Sequence, residues 1–170
     1  MIFCGYQGVG KSSIAHPLNK TIDLESSNFF IDGERCKDWY KIYISIADHL
    51  SNQGYDVFIS SHKNVREYLN ECNIDFCCIF PALSLKEEWI KRLSDRYQVN
   101  KSDKNFKALK NAEEMFEENI KDLSNEKMWI EIKNIDYDLN YETKMFKLFL
   151  EEDICVSLNL KTNFKNVNKR

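Results

Sequence analysis

The sequence predicts an α/β domain built on a parallel sheet, and three observations carry this. Short apolar runs alternate with stretches in which apolar residues recur every three or four positions, the pattern of strands joined by crossover helices. Runs such as Phe76–Phe80 are apolar at every position, as strands covered on both faces are. A glycine-rich loop, Gly5-Tyr6-Gln7-Gly8-Val9-Gly10-Lys11-Ser12, follows the first apolar run directly and leads into a helical stretch.

The elements follow in order. Ile2–Cys4 is the first strand. A short helix opens near Lys11 and is kinked or ended by Pro17, which has no N–H to donate. Thr21–Glu25 is the second strand. Lys37–Leu50 is helical, with Trp39, Tyr43, Ile46, Ala47 and Leu50 on one face, and Gln53-Gly54 closes it. Asp56–Ser60 is the third strand, followed by a helix near Val65–Glu71. Phe76–Phe80 is the fourth, ending at Pro81. Ser84-Leu85-Lys86-Glu87 fits a capping box, the Ser accepting from the helix start and the Glu reaching back. The helix it opens runs to about Arg96. Polar Gln98–Lys104 then separates it from a helix whose Leu109, Ala112, Phe116, Ile120 and Leu123 form one apolar stripe. Met128–Ile132 is the fifth strand and Tyr141–Glu151 the last helix. Residues 1–155 read as one domain, with a lid near 97–105, and 156–170 as a polar, basic tail.

Composition sets bounds on function. With 24 basic and 27 acidic residues the net charge is −3, which argues against broad attraction to nucleic acid or to a membrane surface. No apolar stretch reaches the roughly 18 residues of a membrane span, and the N-terminus lacks the basic region of a signal peptide. The six cysteines include no C-x-x-C pair, and His16, His49 and His62 are not spaced as ligands, so a zinc site is not expected. Reduced thiols in a cytoplasmic protein, monomeric or homodimeric, fit this usage.

The loop carries the sharpest signal. It fits G-x-x-x-x-G-K-[ST], in which backbone N–H groups cradle phosphate oxygens, with a helix start adding its dipole. Three of the five glycines in the chain stand in it. Glycine costs conformational entropy, so it concentrates where positive φ and close backbone approach are needed. Gly5, Gln7, Gly8, Val9, Gly10, Lys11, Ser12 and Ser13 are therefore expected to bind a nucleoside triphosphate. Lys11 would reach its outer phosphates, and the Ser12 hydroxyl would ligate Mg²⁺.

Other candidates lie where strands end, which is where open α/β sheets bind ligands. Asp23 and Glu25 alternate onto one strand face and could hold Mg²⁺ through water or take a proton from an attacking hydroxyl. Asp23 is assigned to metal and catalysis, Glu25 to the acceptor. Ser60 and His62 follow the third strand, with His62 facing the acceptor. Arg66, one helical turn further, suits an acceptor phosphate because its fork binds two oxygens. Arg92 and Arg96, at i and i+4, point from one helix face and could neutralise a transferring phosphoryl group. Lys101 and Lys104 could assist from the lid, and Trp39 or Tyr40 could stack on a base.

This order of parts resembles the P-loop nucleoside and nucleotide kinase family over residues 1–150. The stretch Pro81–Arg96, with Leu109, Ala112 and Glu113, is similar to guanylate kinases. The resemblance implies a three-layer P-loop NTPase fold with a five-stranded sheet in order 2-3-1-4-5, ATP as donor and Mg²⁺ as cofactor. The segment between strands two and three holds little beyond one helix, too short for the β-rich acceptor domain of guanylate kinases. Compactness leans toward small kinases of adenylate, deoxynucleotide or shikimate type. Phosphoryl transfer to a nucleoside or deoxynucleoside monophosphate is the expected activity. A metabolite or polynucleotide hydroxyl as acceptor, or a nucleotide-binding regulator without transfer, are the alternatives.

Overall fold

The computed structural model describes residues 1–31 and 34–152. The tail read at 156–170 lies outside them. β1 (Ile2–Gly5) leads through the glycine loop into α1 (Lys11–Ile14), which ends before Pro17; the proline opens a 3-10 turn instead. β2 (Thr21–Asp23) follows, then a 3-10 turn at Ser26–Phe29 and two short strands, β3 (Phe30–Ile31) and β4 (Glu34–Arg35). α2 (Trp39–Asn52), β5 (Asp56–Ser60), α3 (Lys63–Glu71) and β6 (Phe76–Pro81) come next. α4 (Lys86–Val99), α5 (Asp103–Leu123), β7 (Trp129–Ile132) and α6 (Leu139–Glu152) complete the order.

Five strands form one all-parallel sheet in the order β2-β5-β1-β6-β7. Counting only these five, the order is 2-3-1-4-5. β1 and β6 are buried at every residue, so both sheet faces are covered. Phe3 and Phe58 stack across β1 and β5 with ring centroids 5.0 Å apart. Ala112, Phe116, Ile120 and Leu123 bury the expected stripe of α5, while Leu109 is only partly buried.

Three local readings are corrected. β2 stops at Asp23: Leu24 N makes the last ladder bond, to Phe58 O, and the chain then turns into the 3-10 turn at Ser26–Phe29. Glu25 is therefore outside the strand, and alternation does not align it with Asp23. Ser84 does not cap a helix. It lies inside a 3-10 turn, Leu83–Leu85, and α4 starts after it with no side-chain cap. The polar stretch 98–104 is mostly helical: α4 continues to Val99 and α5 opens at Asp103. Ser102 caps α5 by accepting from Asn105 N at 3.3 Å, and the Asn105 side chain donates to Asn100 O at 2.8 Å. Only Asn100, Lys101 and Ser102 connect the two helices.

The β3–β4 pair is an addition that the sequence reading did not contain. Phe30 pairs with Arg35 and Ile31 with Glu34 in antiparallel register. These two-residue strands place Arg35 next to the carboxyl ends of β2 and β5.

Candidate active site

A cleft of about 1640 Å³ opens at the carboxyl ends of the sheet strands, and the glycine loop forms its floor. Gly8 and Gly10 take φ of +88° and +84°, a region that residues with a Cβ rarely enter. The loop turns so that Tyr6 N donates to Ile79 O, Val9 N to Tyr6 O and Ser13 N to Gly10 O. The N–H groups of Gly8, Gly10, Lys11 and Ser12 donate to no acceptor among the described residues. Those four residues line the cleft. Such a set of unspent donors is an anion nest. α1 has only four residues, so its dipole adds little and the loop amides carry the cradle.

The loop is held from behind. Trp89 of α4, fully buried, donates its indole N–H to Gln7 O at 2.9 Å, and its ring lies against Gly8. Gln7 Nε2 donates to Ala108 O at 2.8 Å and to Asn111 Oδ1 at 3.1 Å, tying the loop to α5. Val9 is buried in the core and Ser13 lines the cleft.

Lys11 folds back so that Nζ donates to Gly5 O at 3.1 Å. Burial pushes its ammonium below the usual lysine value; Asp23 and Glu25 pull the other way, and Lys104 and Arg96 push it lower still. Ser12 Oγ donates to Asp23 Oδ2 at 2.6 Å. Asp23 Oδ1 is buried without a partner, as is Ser60 Oγ at the end of β5. A buried carboxylate oxygen that lacks a partner is costly unless a cation or water completes it. No three His, Cys, Asp or Glu side chains converge as a metal site among the described residues. A Mg²⁺ ion here would thus take Ser12 and Asp23 from the protein, with the remaining ligands from water and phosphate oxygens.

Beyond the end of β2, Glu25 accepts from Lys104 Nζ at 2.7 Å and from Ser27 Oγ at 3.1 Å. Burial favours its neutral form, yet these partners and Lys11 outweigh that and hold the carboxyl below the usual value. Lys104, in the first turn of α5, thereby reaches across to the end of β2. His62 meets the edge of Trp39 at 5.9 Å and Arg35 Nη2 at 3.3 Å. Burial, then Arg35 and Lys11, lower its pKa from 6.5 to about 4, so the ring is neutral at pH 7. Arg35, a cleft residue missed in the sequence, lies over the Trp39 ring at 4.1 Å and donates to Ser26 Oγ at 3.2 Å. Its signal was absent because only the β3–β4 pairing brings it here. Trp39 itself is buried against Phe29 and Tyr43, and Tyr40 packs on Tyr68.

The arginines are placed differently from one another. Arg66 lines the cleft but is buried, donating to Ser61 O and pairing with both Asp122, near the end of α5, and Glu126, just beyond it. Gripping an acceptor phosphate would require it to leave two carboxylates. Arg92 lies over the rings of Trp89 and Tyr137, at 5.2 and 5.3 Å, and donates to Tyr137 OH at 3.3 Å. Arg96 donates through Nε to Asn105 Oδ1 at 2.7 Å, and its terminal nitrogens have no partner among the described residues. Both line the cleft.

Among the described residues, no helix is long and apolar enough to cross a membrane, and Cys4, Cys36, Cys72, Cys77 and Cys78 are free thiols. Comparison with known proteins finds no matching family model, no matching curated protein and no matching solved structure.

Proposed function

We propose that the chain is a P-loop phosphotransferase with a three-layer P-loop NTPase fold. It moves a phosphoryl group from ATP to a nucleoside or deoxynucleoside monophosphate. The observation that carries this is the loop itself: four cleft-lining N–H groups without acceptors, on a sequence of the G-x-x-x-x-G-K-[ST] form. Those donors cradle the polyphosphate, and Lys11 exchanges Gly5 O for phosphate oxygens. Its buried ammonium then gains the countercharge that burial makes valuable.

Mg²⁺ bound by Ser12 and Asp23 supplies charge neutralisation for the phosphates. The chain's own groups do the rest. Asp23 holds Ser12 in place and accepts from it. Arg96 offers unspent guanidinium N–H groups to a transferring phosphoryl group, and Arg92 borders the same cleft. Trp89 and Gln7 keep the loop in register, so the donors are preorganised.

A coupled assay with ATP, Mg²⁺ and each ribo- and deoxynucleoside monophosphate tests the reading. Turnover with at least one acceptor, lost in Lys11→Ala, is expected. No turnover with any of them contradicts it.

One observation favours a second acceptor type. With Arg66 held by Asp122 and Glu126, the cleft presents Asp23 beside Ser12, with Glu25 in the same lining. Carboxylates suit an attacking hydroxyl on a metabolite or a polynucleotide end. Assaying hydroxyl acceptors beside the monophosphates separates the readings: turnover with a hydroxyl acceptor alone favours the second.

A further inference from the structure

Past the glycine loop the cleft continues along α5 toward α3, and this limb is built from side-chain amides. Gln7 Nε2 donates to the Ala108 carbonyl at 2.8 Å, and a carbonyl can only accept. That contact fixes which atom of Gln7 is nitrogen. The Asn111 atom that the same nitrogen meets at 3.1 Å is then the oxygen. Asn119 Nδ2 donates to that oxygen at 3.1 Å, and Gln7 Nε2 also reaches the Tyr6 hydroxyl at 3.4 Å. The network closes in one sense only. Among the groups it leaves unspent on cleft-lining residues are the donor Asn111 Nδ2 and the acceptor Gln7 Oε1.

The charge of the limb is equally telling. Arg66, at its far end, is engaged by Asp122 and Glu126. Glu118 adds another carboxylate to the lining, and Lys63 pairs with Glu67 at 3.9 Å. Lys107 brings an ammonium to the loop end of this lining, but toward α3 the cations Arg66 and Lys63 are already paired and Glu118 adds negative charge. An uncharged group with its own donor and acceptor fits.

We propose that this amide limb recognises the uncharged ring of the acceptor. The ring is of nucleobase class and carries a lactam edge: its keto oxygen accepts from Asn111 Nδ2 and its ring N–H donates to Gln7 Oε1. The inference rests on the phosphotransferase reading of the cleft, and adds which part of an acceptor this limb takes.

Calorimetric titration of the full chain tests it, with Mg²⁺–tripolyphosphate filling the loop. The probes are thymidine and inosine, which have a lactam edge, against adenosine and cytidine, which do not. At least one lactam nucleoside is expected to bind about tenfold tighter than the other pair, the worth of one well-placed hydrogen bond. Asn111→Asp keeps an oxygen toward Gln7 and Asn119 but replaces the outward donor by an acceptor. It should erase that preference, read as the ratio of lactam to non-lactam affinities within the variant, so that any loss of tripolyphosphate affinity caused by the added carboxylate cancels. On the unsubstituted chain, the Asn111 side-chain amide resonance should shift with the lactam nucleosides. Tripolyphosphate binding without any nucleoside binding, or nucleoside affinities indifferent to Asn111→Asp and an unmoved Asn111 resonance, would overturn the inference alone. Failure of tripolyphosphate to bind overturns the phosphate-loop reading and this inference with it.

Discussion

The indole N–H of Trp89 donates to the carbonyl of Gln7 at 2.9 Å, joining α4 to the glycine loop across 82 residues of sequence. This bond occupies the Gln7 carbonyl, and the neighbouring N–H groups on cleft-lining residues stay without acceptors among the described residues. Trp89→Phe keeps an aromatic ring in the core but removes the donor. An orphaned buried carbonyl costs about 2 kcal/mol, and the loosened loop should lower tripolyphosphate affinity about fivefold. Urea unfolding and calorimetry read the two effects separately; an unchanged affinity would show that the bond serves stability alone.

Gly8 and Gly10 share positive φ but not surroundings. A Cβ at Gly8 would sit 3.1 Å from Trp89 Nε1 and 3.2 Å from Leu93 Cδ2, whereas at Gly10 nothing lies within 4 Å. Gly10→Ala should cost about 1 kcal/mol, the strain of a left-handed alanine. Gly8→Ala adds the collision with a buried ring and should cost about 2–3 kcal/mol. Equal losses in urea titrations would contradict this placement of Trp89.

Arg66 should behave as a structural ion-pair residue. It is only 5% exposed and holds Asp122 and Glu126, so its loss strands two carboxylates. Asp122 is partly solvated, which moderates the penalty. Arg66→Met should destabilise by about 2–3 kcal/mol, measured by denaturant unfolding. A neutral change would mean that the pairing contributes nothing.

His62 offers a pH signature. The folded chain keeps the ring neutral down to about pH 4, while its ordinary pKa is 6.5. The unfolded chain binds the proton first, so stability from this residue is full above about pH 6.5 and is lost as pH falls toward 4. An NMR titration of the His62 ring should give a midpoint near 4, and Arg35→Ala should raise it by removing one source of repulsion. A midpoint near 6.5 in the unsubstituted chain would contradict the shielding of this ring by Trp39 and the repulsion from Arg35.

How much of this was legible follows from the range of the interactions involved. The five parallel strands and the loop are local patterns, since continuous apolar runs and clustered glycines announce themselves within ten residues. Asp23 was picked out because it ends a strand, and it stands beside Ser12. Arg35 and Trp89 act through partners 27 and 82 residues away, and no local pattern encodes such pairings. The helix ends near 98–104 and the Ser84 turn are hard to read for a different reason. Polar composition at 98–104 resembles a connector, but Ser102 and Asn105 are polar because they build a helix cap. Ser84 sits in a box-like pattern, yet the 3-10 turn at Leu83–Leu85 uses up the position where the cap would act.

The account turns on whether the amino-terminal loop holds a triphosphate with metal, and titration of ATP with and without Mg²⁺ measures that directly. One ATP per chain is predicted, weakened at least about a hundredfold in Lys11→Ala, with Mg²⁺ strengthening binding in the unsubstituted chain but not in Asp23→Asn. No heat of binding, or equal affinity in Lys11→Ala, would contradict it.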